Sequence, residues 1–172
     1  MKNDLEALVD ARFDPSSICQ YESPIFVVVM GAVAVGKTDL RREKYGSGYV
    51  VVDAAEIFLD LCRGEYHNFP SIFEDEMETV GQAICTRAFS ERRNIVCEFV
   101  GDDKEIVNLM IEGLKFIGYK IKIEMVTMDY EESLKRNLTR GDDDISSYYT
   151  QVFHMKWLAI GANQSRQKTN VE

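Results

Sequence analysis

The sequence is short of what several protein classes require. Its four cysteines, Cys19, Cys62, Cys85 and Cys97, share no C-x-x-C spacing, and only two histidines accompany them. Neither a zinc cage nor a disulfide framework is expected, so the thiols read as buried or idle. Three prolines and eleven glycines exclude collagen-like and low-complexity chains. The longest apolar run, Ile25 to Met30, is far too short to cross a bilayer, and the opening Met-Lys-Asn-Asp-Leu-Glu has no apolar stretch of the secretory kind. A cytoplasmic protein without a membrane partner is expected. Positive charge is scarce too: 20 Lys and Arg against 29 Asp and Glu leave a net charge of −9 and a pI near 4.8. Such a surface opposes general nucleic-acid binding.

What is present is globular. With 172 residues, 45% of them hydrophobic, the chain is long enough for a single domain that buries about 70% of its unfolded surface. Residues 1–20 are expected to form a helical extension, on the strength of Leu5, Leu8 and Val9, and the polar stretch 161–172 a frayed tail. Between them, short β-branched runs alternate with helical patterns, which predicts a three-layer α/β fold with a mostly parallel central sheet. The expected strands are Ile25–Met30, Tyr49–Val52, Asn94–Phe99 and Lys120–Met128. The first three are almost continuously apolar, as strands covered on both faces should be.

Helical spacing of Met77, Val80, Ile84 and Ala88 predicts a helix within 72–92, and that of Ile106, Met110, Leu114 and Ile117 another over 103–118, capped by Gly118. Asp129 followed by Glu132 reads as a capping box opening a helix through Arg140, stopped by Gly141. From Ser146 onward, Tyr149, Val152, Phe153, Lys156, Trp157 and Ile160 fall on one face of one more predicted helix, a core stripe apart from Lys156.

The segment Gly31-Ala32-Val33-Ala34-Val35-Gly36-Lys37-Thr38 fits G-x-x-x-x-G-K-[ST]. It follows a predicted buried strand and opens a helix, the context in which backbone N–H groups and a helix N-terminus cradle phosphates. Roughly one chain of this length in 200 carries such a match by accident, given glycine at about 7% of residues. Lys37 would neutralise the β- and γ-phosphate oxygens of ATP, and the Thr38 hydroxyl would hold Mg²⁺. Val33 and Ala34 stand where many such loops carry glycine, and a Cβ penalises positive φ, so modest nucleotide affinity is expected.

No Asn-Lys-x-Asp or Asp-x-x-Gly segment occurs, which turns the reading from GTPases toward a small kinase. Such an enzyme needs an acceptor-side carboxylate and arginines on a closing lid. Asp53 ends the second strand and Glu56 lies one helical turn on; either can accept a hydroxyl proton, while the competing reading makes Asp53 an N-cap and Glu56 a solvated acid. Glu98 ends the third strand, where a carboxylate is costly unless it faces a polar cleft, and reads as orienting either the acceptor hydroxyl or a water of the Mg²⁺ shell. Arg136 and Arg140, four residues apart, suit a phosphate clamp, against a solvated face in which either pairs with Glu132. The acidic 141–144 run is either a lid tip or a solvated loop.

Taken together, Lys37 to Arg41, the strand ending in Asp53-Ala-Ala-Glu56, the Asn94-to-Glu98 strand, Met128-Asp129, Ser133 to Arg136 and Arg140-Gly141 resemble the zeta-toxin family of P-loop kinases over about residues 24–160. The resemblance implies ATP- and Mg²⁺-dependent phosphorylation of a hydroxyl on a small molecule such as UDP-N-acetylglucosamine, and an antitoxin-like protein partner. Relatives act on other metabolites or on polynucleotide ends. Two departures stand out. The family's usual catalytic aspartate, two residues after the strand-end acid, is Ala55 here, so a catalytically impaired nucleotide-binding module is the alternative. In the last predicted helix, where relatives often carry arginine, this chain has His154, Met155 and Lys156. His67, with Tyr66 and Phe69 beside it, falls near the family's acceptor grip and otherwise reads as a surface residue.

Overall fold

The computed structural model describes residues 2–19, 23–62, 73–101 and 103–139. In chain order these form α1 (Lys2–Asp10), a short 3-10 turn (Pro15–Ser17), β1 (Ile25–Met30), α2 (Lys37–Tyr45), β2 (Val50–Val52), α3 (Ala54–Cys62), α4 (Glu74–Ser90), β3 (Ile95–Phe99), α5 (Lys104–Phe116), β4 (Lys120–Met125) and α6 (Tyr130–Leu138). The helix predicted from Ser146, the acidic 141–144 run and the 161–172 tail lie outside the described residues. Among those residues, no helix is long and apolar enough to cross a membrane.

The strands form one parallel sheet in the order β2-β3-β1-β4. β1 lies between β3 and β4, and Val27, Val28 and Val29 have no exposed surface; an unbroken apolar strand suits a site where both faces are covered. On one face Phe26, Val28 and Met30 meet Ile57 of α3 and Val80, Ile84 and Ala88 of α4, with α1 and α5 packed around them. On the other, Val27 and Val29 meet Tyr45 and Leu40 of α2. Three layers result.

Within the described residues the helix signals hold, with two adjustments. Asp103 caps α5 by accepting from the N–H groups of Glu105 and Ile106, and Gly118 follows it at φ +87°. However, Val107, Met110 and Leu114 form the inward stripe, and Ile106 and Ile117 of the expected stripe stay exposed. The cause is position: α5 rests on β4, the outermost strand among the described residues, so only a narrow band meets apolar partners there. Asp129 does cap α6, accepting from Glu131 N–H, but Glu132 pairs with Arg136 along the helix rather than completing a capping box.

The helix that follows the loop is tied to the sheet edge by a polar clasp. Tyr45 Oη, near the end of α2, donates to Glu124 Oε1 at 2.6 Å, and Lys122 Nζ lies 3.0 Å from the same oxygen. The tyrosine hydrogen bond, then that of Lys122, pull the Glu124 pKa down to about 2. A carboxylate with a lowered native pKa adds stability above its unfolded pKa and loses it as the pH falls through the native value. Urea titrations are therefore expected to show the wild type losing stability more steeply than Glu124→Gln as the pH drops from about 4.5 to about 2. Parallel pH curves for the two proteins would contradict the clasp.

Candidate active site

The loop from Gly31 to Gly36 leaves β1 at the sheet's carboxyl edge. Gly31 N–H donates to Phe99 O of β3, and Val126 N–H to Met30 O, so the chain is gripped on both sides as it turns. A Cβ on Gly31 would stand 2.4 Å from the Val126 carbonyl oxygen, which is why glycine occupies this position. Ala32 and Val35 pack against Val100, Val126 and Met128, and Val33 and Ala34 against Tyr130 and Leu134 of α6. Side chains anchor this loop where others rely on glycine. The expected strain falls on Ala34, at φ +60°, which costs about 1–2 kcal/mol, and not on Val33.

Beneath the loop, Ser133 of α6, fully buried, donates its hydroxyl to Val33 O at 2.7 Å. This bond joins the loop to the helix that carries Arg136. Arg136 itself is half-exposed: Nε lies 3.4 Å from Glu132 Oε1, and a Cβ on Gly36 would come within 3.7 Å of Nη1. Both readings of Arg136 thus apply, since it pairs along its helix and also stands over the loop.

Gly36, at φ +94°, precedes α2, and no side chain caps that helix. Its opening turn is thereby open to an anion. Lys37 Nζ donates to Gly31 O at 3.0 Å and Ala32 O at 2.7 Å, folded across the mouth of its own loop. Thr38 Oγ1 donates to Glu98 Oε2 at 2.9 Å. These groups line a cleft of about 360 Å³ whose other walls are Asp53, Ala54, Ala55, Phe99, Val100 and Arg136.

Behind the cleft lies an ion cluster. Arg41, one turn after Lys37 and 3% exposed, donates Nε to Glu98 Oε1 at 2.7 Å and Nη2 to Glu56 Oε1 at 2.5 Å and Asp53 Oδ2 at 3.3 Å. Asp53 Oδ1 also accepts from Ala55 N–H at 2.9 Å, so the capping reading is met as well. Burial, then the charge of Glu98, push the Asp53 pKa above its ordinary value despite Ala55 N–H and Arg41. Glu56 goes the other way: burial raises its pKa, but Arg41 and Arg12 outweigh it and hold the carboxyl below its ordinary value. One site therefore contains a carboxylate with raised proton affinity and another locked as an ion.

Lys37, Thr38, Asp53, Glu98 and Arg136 meet at one cleft; Glu56 lies behind it, in the ion cluster. Arg140, His67, Tyr66, Phe69, His154, Met155 and Lys156 lie outside the described residues. Sequence reasoning gave no role to Arg41, Ser133 or Arg12. For Arg41 a signal existed: an arginine one turn into the helix after the loop faces the strand tips where Asp53 and Glu98 sit.

A family model described as Zeta toxin matches residues 10–150. Comparison with curated proteins gives no match. Among solved structures, a chain of the PezAT chromosomal toxin-antitoxin system of Streptococcus pneumoniae is similar at a TM-score of 0.60 and 13% identity, over 80% of this chain and 62% of that one. The AvrRxo1-ORF1:-ORF2 structure with ATP gives 0.61 and 19%, over 82% and 50%. The Pnkp1/Rnl/Hen1 RNA repair complex gives 0.65 and 14%, over 86% and 47%. These likenesses establish a shared fold, and the present chain spans less than two thirds of each of those chains.

Two substitutions test the loop's anchoring. Ser133→Ala leaves the buried Val33 carbonyl without its hydroxyl donor and is expected to lower unfolding stability by about 1–3 kcal/mol in urea titrations. Ala34→Gly relieves the positive φ at some cost in unfolded-state entropy, and a net gain of up to about 1 kcal/mol is expected in the same assay. An unchanged midpoint for Ser133→Ala, or a clear loss for Ala34→Gly, would contradict this account.

Proposed function

Because the chain belongs to the zeta-toxin family, we propose that it is an ATP-dependent phosphotransferase acting on a hydroxyl group of a small molecule, with a nucleotide sugar as the leading acceptor. The observation that carries this reading is the meeting of Lys37, Thr38, Asp53, Glu98 and Arg136 around one cleft. Phosphoryl transfer needs positioning and charge neutralisation more than covalent chemistry, and these residues supply both.

In this reading the loop's backbone N–H groups and the opening of α2 hold the β-phosphate, and Lys37 leaves the Gly31 and Ala32 carbonyls to meet the β- and γ-oxygens. Arg136, over Gly36, neutralises the transferring group. The fit for a divalent cation rests on charge. Asp53 and Glu98, the two carboxylates that line the cleft, share the single guanidinium of Arg41, leaving negative charge beside the Thr38 hydroxyl. A bound Mg²⁺ supplies charge neutralisation at the β- and γ-phosphates, and Thr38 is the residue that would hold it.

Asp53 is the better of the two bases named from the sequence. It lines the cleft, each of its oxygens keeps a second lone pair, and its raised pKa favours taking a proton. Glu56 has both oxygens in ion pairs with arginines. Glu98, fixed by Arg41 and Thr38, orients the acceptor. An antitoxin-like protein that covers the cleft belongs to the same reading, in keeping with the toxin-antitoxin origin of the PezAT structure.

Ala55 supports a second reading, a nucleotide-binding module without transfer chemistry. One experiment separates the two: labelled ATP and Mg²⁺ with nucleotide sugars, nucleosides and 5′-hydroxyl oligonucleotides, alongside melting curves with ATP. The kinase reading expects a labelled product, lost in Lys37→Ala together with ATP binding. Asp53→Asn is expected to keep ATP binding and lower kcat by about 10²–10⁴. A melting temperature raised by ATP with no product from any acceptor would favour the module instead.

A further inference from the structure

The ion cluster receives a second guanidinium from outside the strand-loop-helix unit. Arg12, just after α1, donates Nη1 to Glu56 Oε2 at 2.7 Å and Nη2 to Asp60, and only 12% of its side chain is exposed. Packing sets its place: Leu5, Leu8, Val9 and Phe13 lie against the main core, and the Arg87 guanidinium stands 4.1 Å from the centre of the Phe13 ring. The N-terminal helix is thus docked on the core with Arg12 reaching the back of the cleft.

On the other side of Glu56, one nitrogen serves two acids. Arg41 Nη2 lies 2.5 Å from Glu56 and 3.3 Å from Asp53, so the two carboxylates compete for it. The share each takes depends on how well each is otherwise neutralised. Arg42 is no substitute for Arg12, since it lies 3.8 Å from Glu56 with 68% of its side chain exposed, where solvent screens the pair.

We propose that Arg12 is a positioning residue for phosphoryl transfer: by neutralising Glu56 from the N-terminal side, it leaves the Arg41 guanidinium in register with Asp53 and Glu98. This rests on the reading of Asp53 as the acceptor-side base. It makes α1, which lies outside the nucleotide loop and the strand tips, part of the working site. Without Arg12, Glu56 draws Arg41 toward itself and Asp53 shifts in the cleft. An ångström-scale misplacement of a reacting group can cost up to about 10²-fold in rate.

The test uses the full chain with R12A, R12K, E56Q and the R12A/E56Q double variant. The first readout is the Arg41 Nε–H signal in ¹⁵N NMR, which reports its hydrogen bond to Glu98 and needs neither ATP nor an acceptor. R12A is expected to shift this signal and speed its exchange with water, whereas R12K, which keeps the charge on Glu56, holds it near the wild-type position. Because Arg12 acts through Glu56, the double variant and E56Q are expected to give the same signal, a comparison that stands even if R12A alone does not fold.

The second readout is kinetic: R12A lowers kcat by about 10- to 100-fold and leaves KM for ATP unchanged, with partial rescue by R12K. An unmoved Arg41 signal in folded R12A, or a signal that differs between E56Q and the double variant, overturns the coupling. Absence of phosphoryl transfer in the wild type overturns the kinase reading instead, and the NMR comparison still decides whether Arg12 governs Arg41.

Discussion

The guanidinium of Arg41 stands among three carboxylates brought to it by β3, α3 and the end of β2. Asp53 and Glu98 stand at the tips of neighbouring parallel strands, and Glu56 lies in the first turn of α3. Without a buried cation these acids would repel one another and bear the desolvation of ionised groups; with it, each has a partner. Arg41 is itself held as an ion, since burial works against its charge and the hydrogen bonds of Glu98 and Glu56 outweigh that effect. Removing one member of such a buried network is costly, typically about 3–5 kcal/mol, because it leaves the others uncompensated. The backbone ladder between β2 and β3 brings Asp53 and Glu98 side by side, and the cluster sets the charge they present to the cleft.

The same cluster divides labour between two acids that look equivalent on paper. Glu56 is drawn into ion pairs on both oxygens, whereas Asp53, more deeply buried and close to Glu98, keeps a higher affinity for protons. Environments that push neighbouring titratable groups apart are a frequent mark of acid-base sites. The loop shows a parallel economy of parts. Lacking extra glycines, it is fastened by Ala32, Val33, Ala34 and Val35 against the segments around β4 and α6, and by the buried Ser133 hydroxyl. The remaining strain is concentrated at Ala34.

Much of this frame was readable in the residues. β1 matches its expected bounds because six apolar residues between Pro24 and Gly31 admit no other reading, and β2 and β3 differ by one residue each. β4 ends at Met125, where Val126 turns to meet Met30. The loop was legible because its glycines, lysine and threonine carry a mechanism at fixed spacing. Glu98 was legible because a carboxylate ending an apolar strand must have a partner. The orientation of α5 was not, since periodicity alone does not say which strand its helix would sit over.

The ion cluster was also beyond local reading. Arg12 and Glu56 are 44 positions apart, and Ser133 and Val33 are 100 apart; no spacing rule links them, and only the packing of α1 and α6 brings them together. The choice between Asp53 and Glu56 was likewise hidden, because it depends on which acid the arginines reach. If the cleft holds ATP with Asp53 facing the γ-phosphate, a crystal structure with a non-hydrolysable ATP analogue and Mg²⁺ will show the triphosphate wrapped by residues 31–38, Lys37 and Arg136 on the γ-phosphate and the Asp53 carboxylate on its acceptor side. An analogue bound elsewhere, or Glu56 standing in that place, would contradict it.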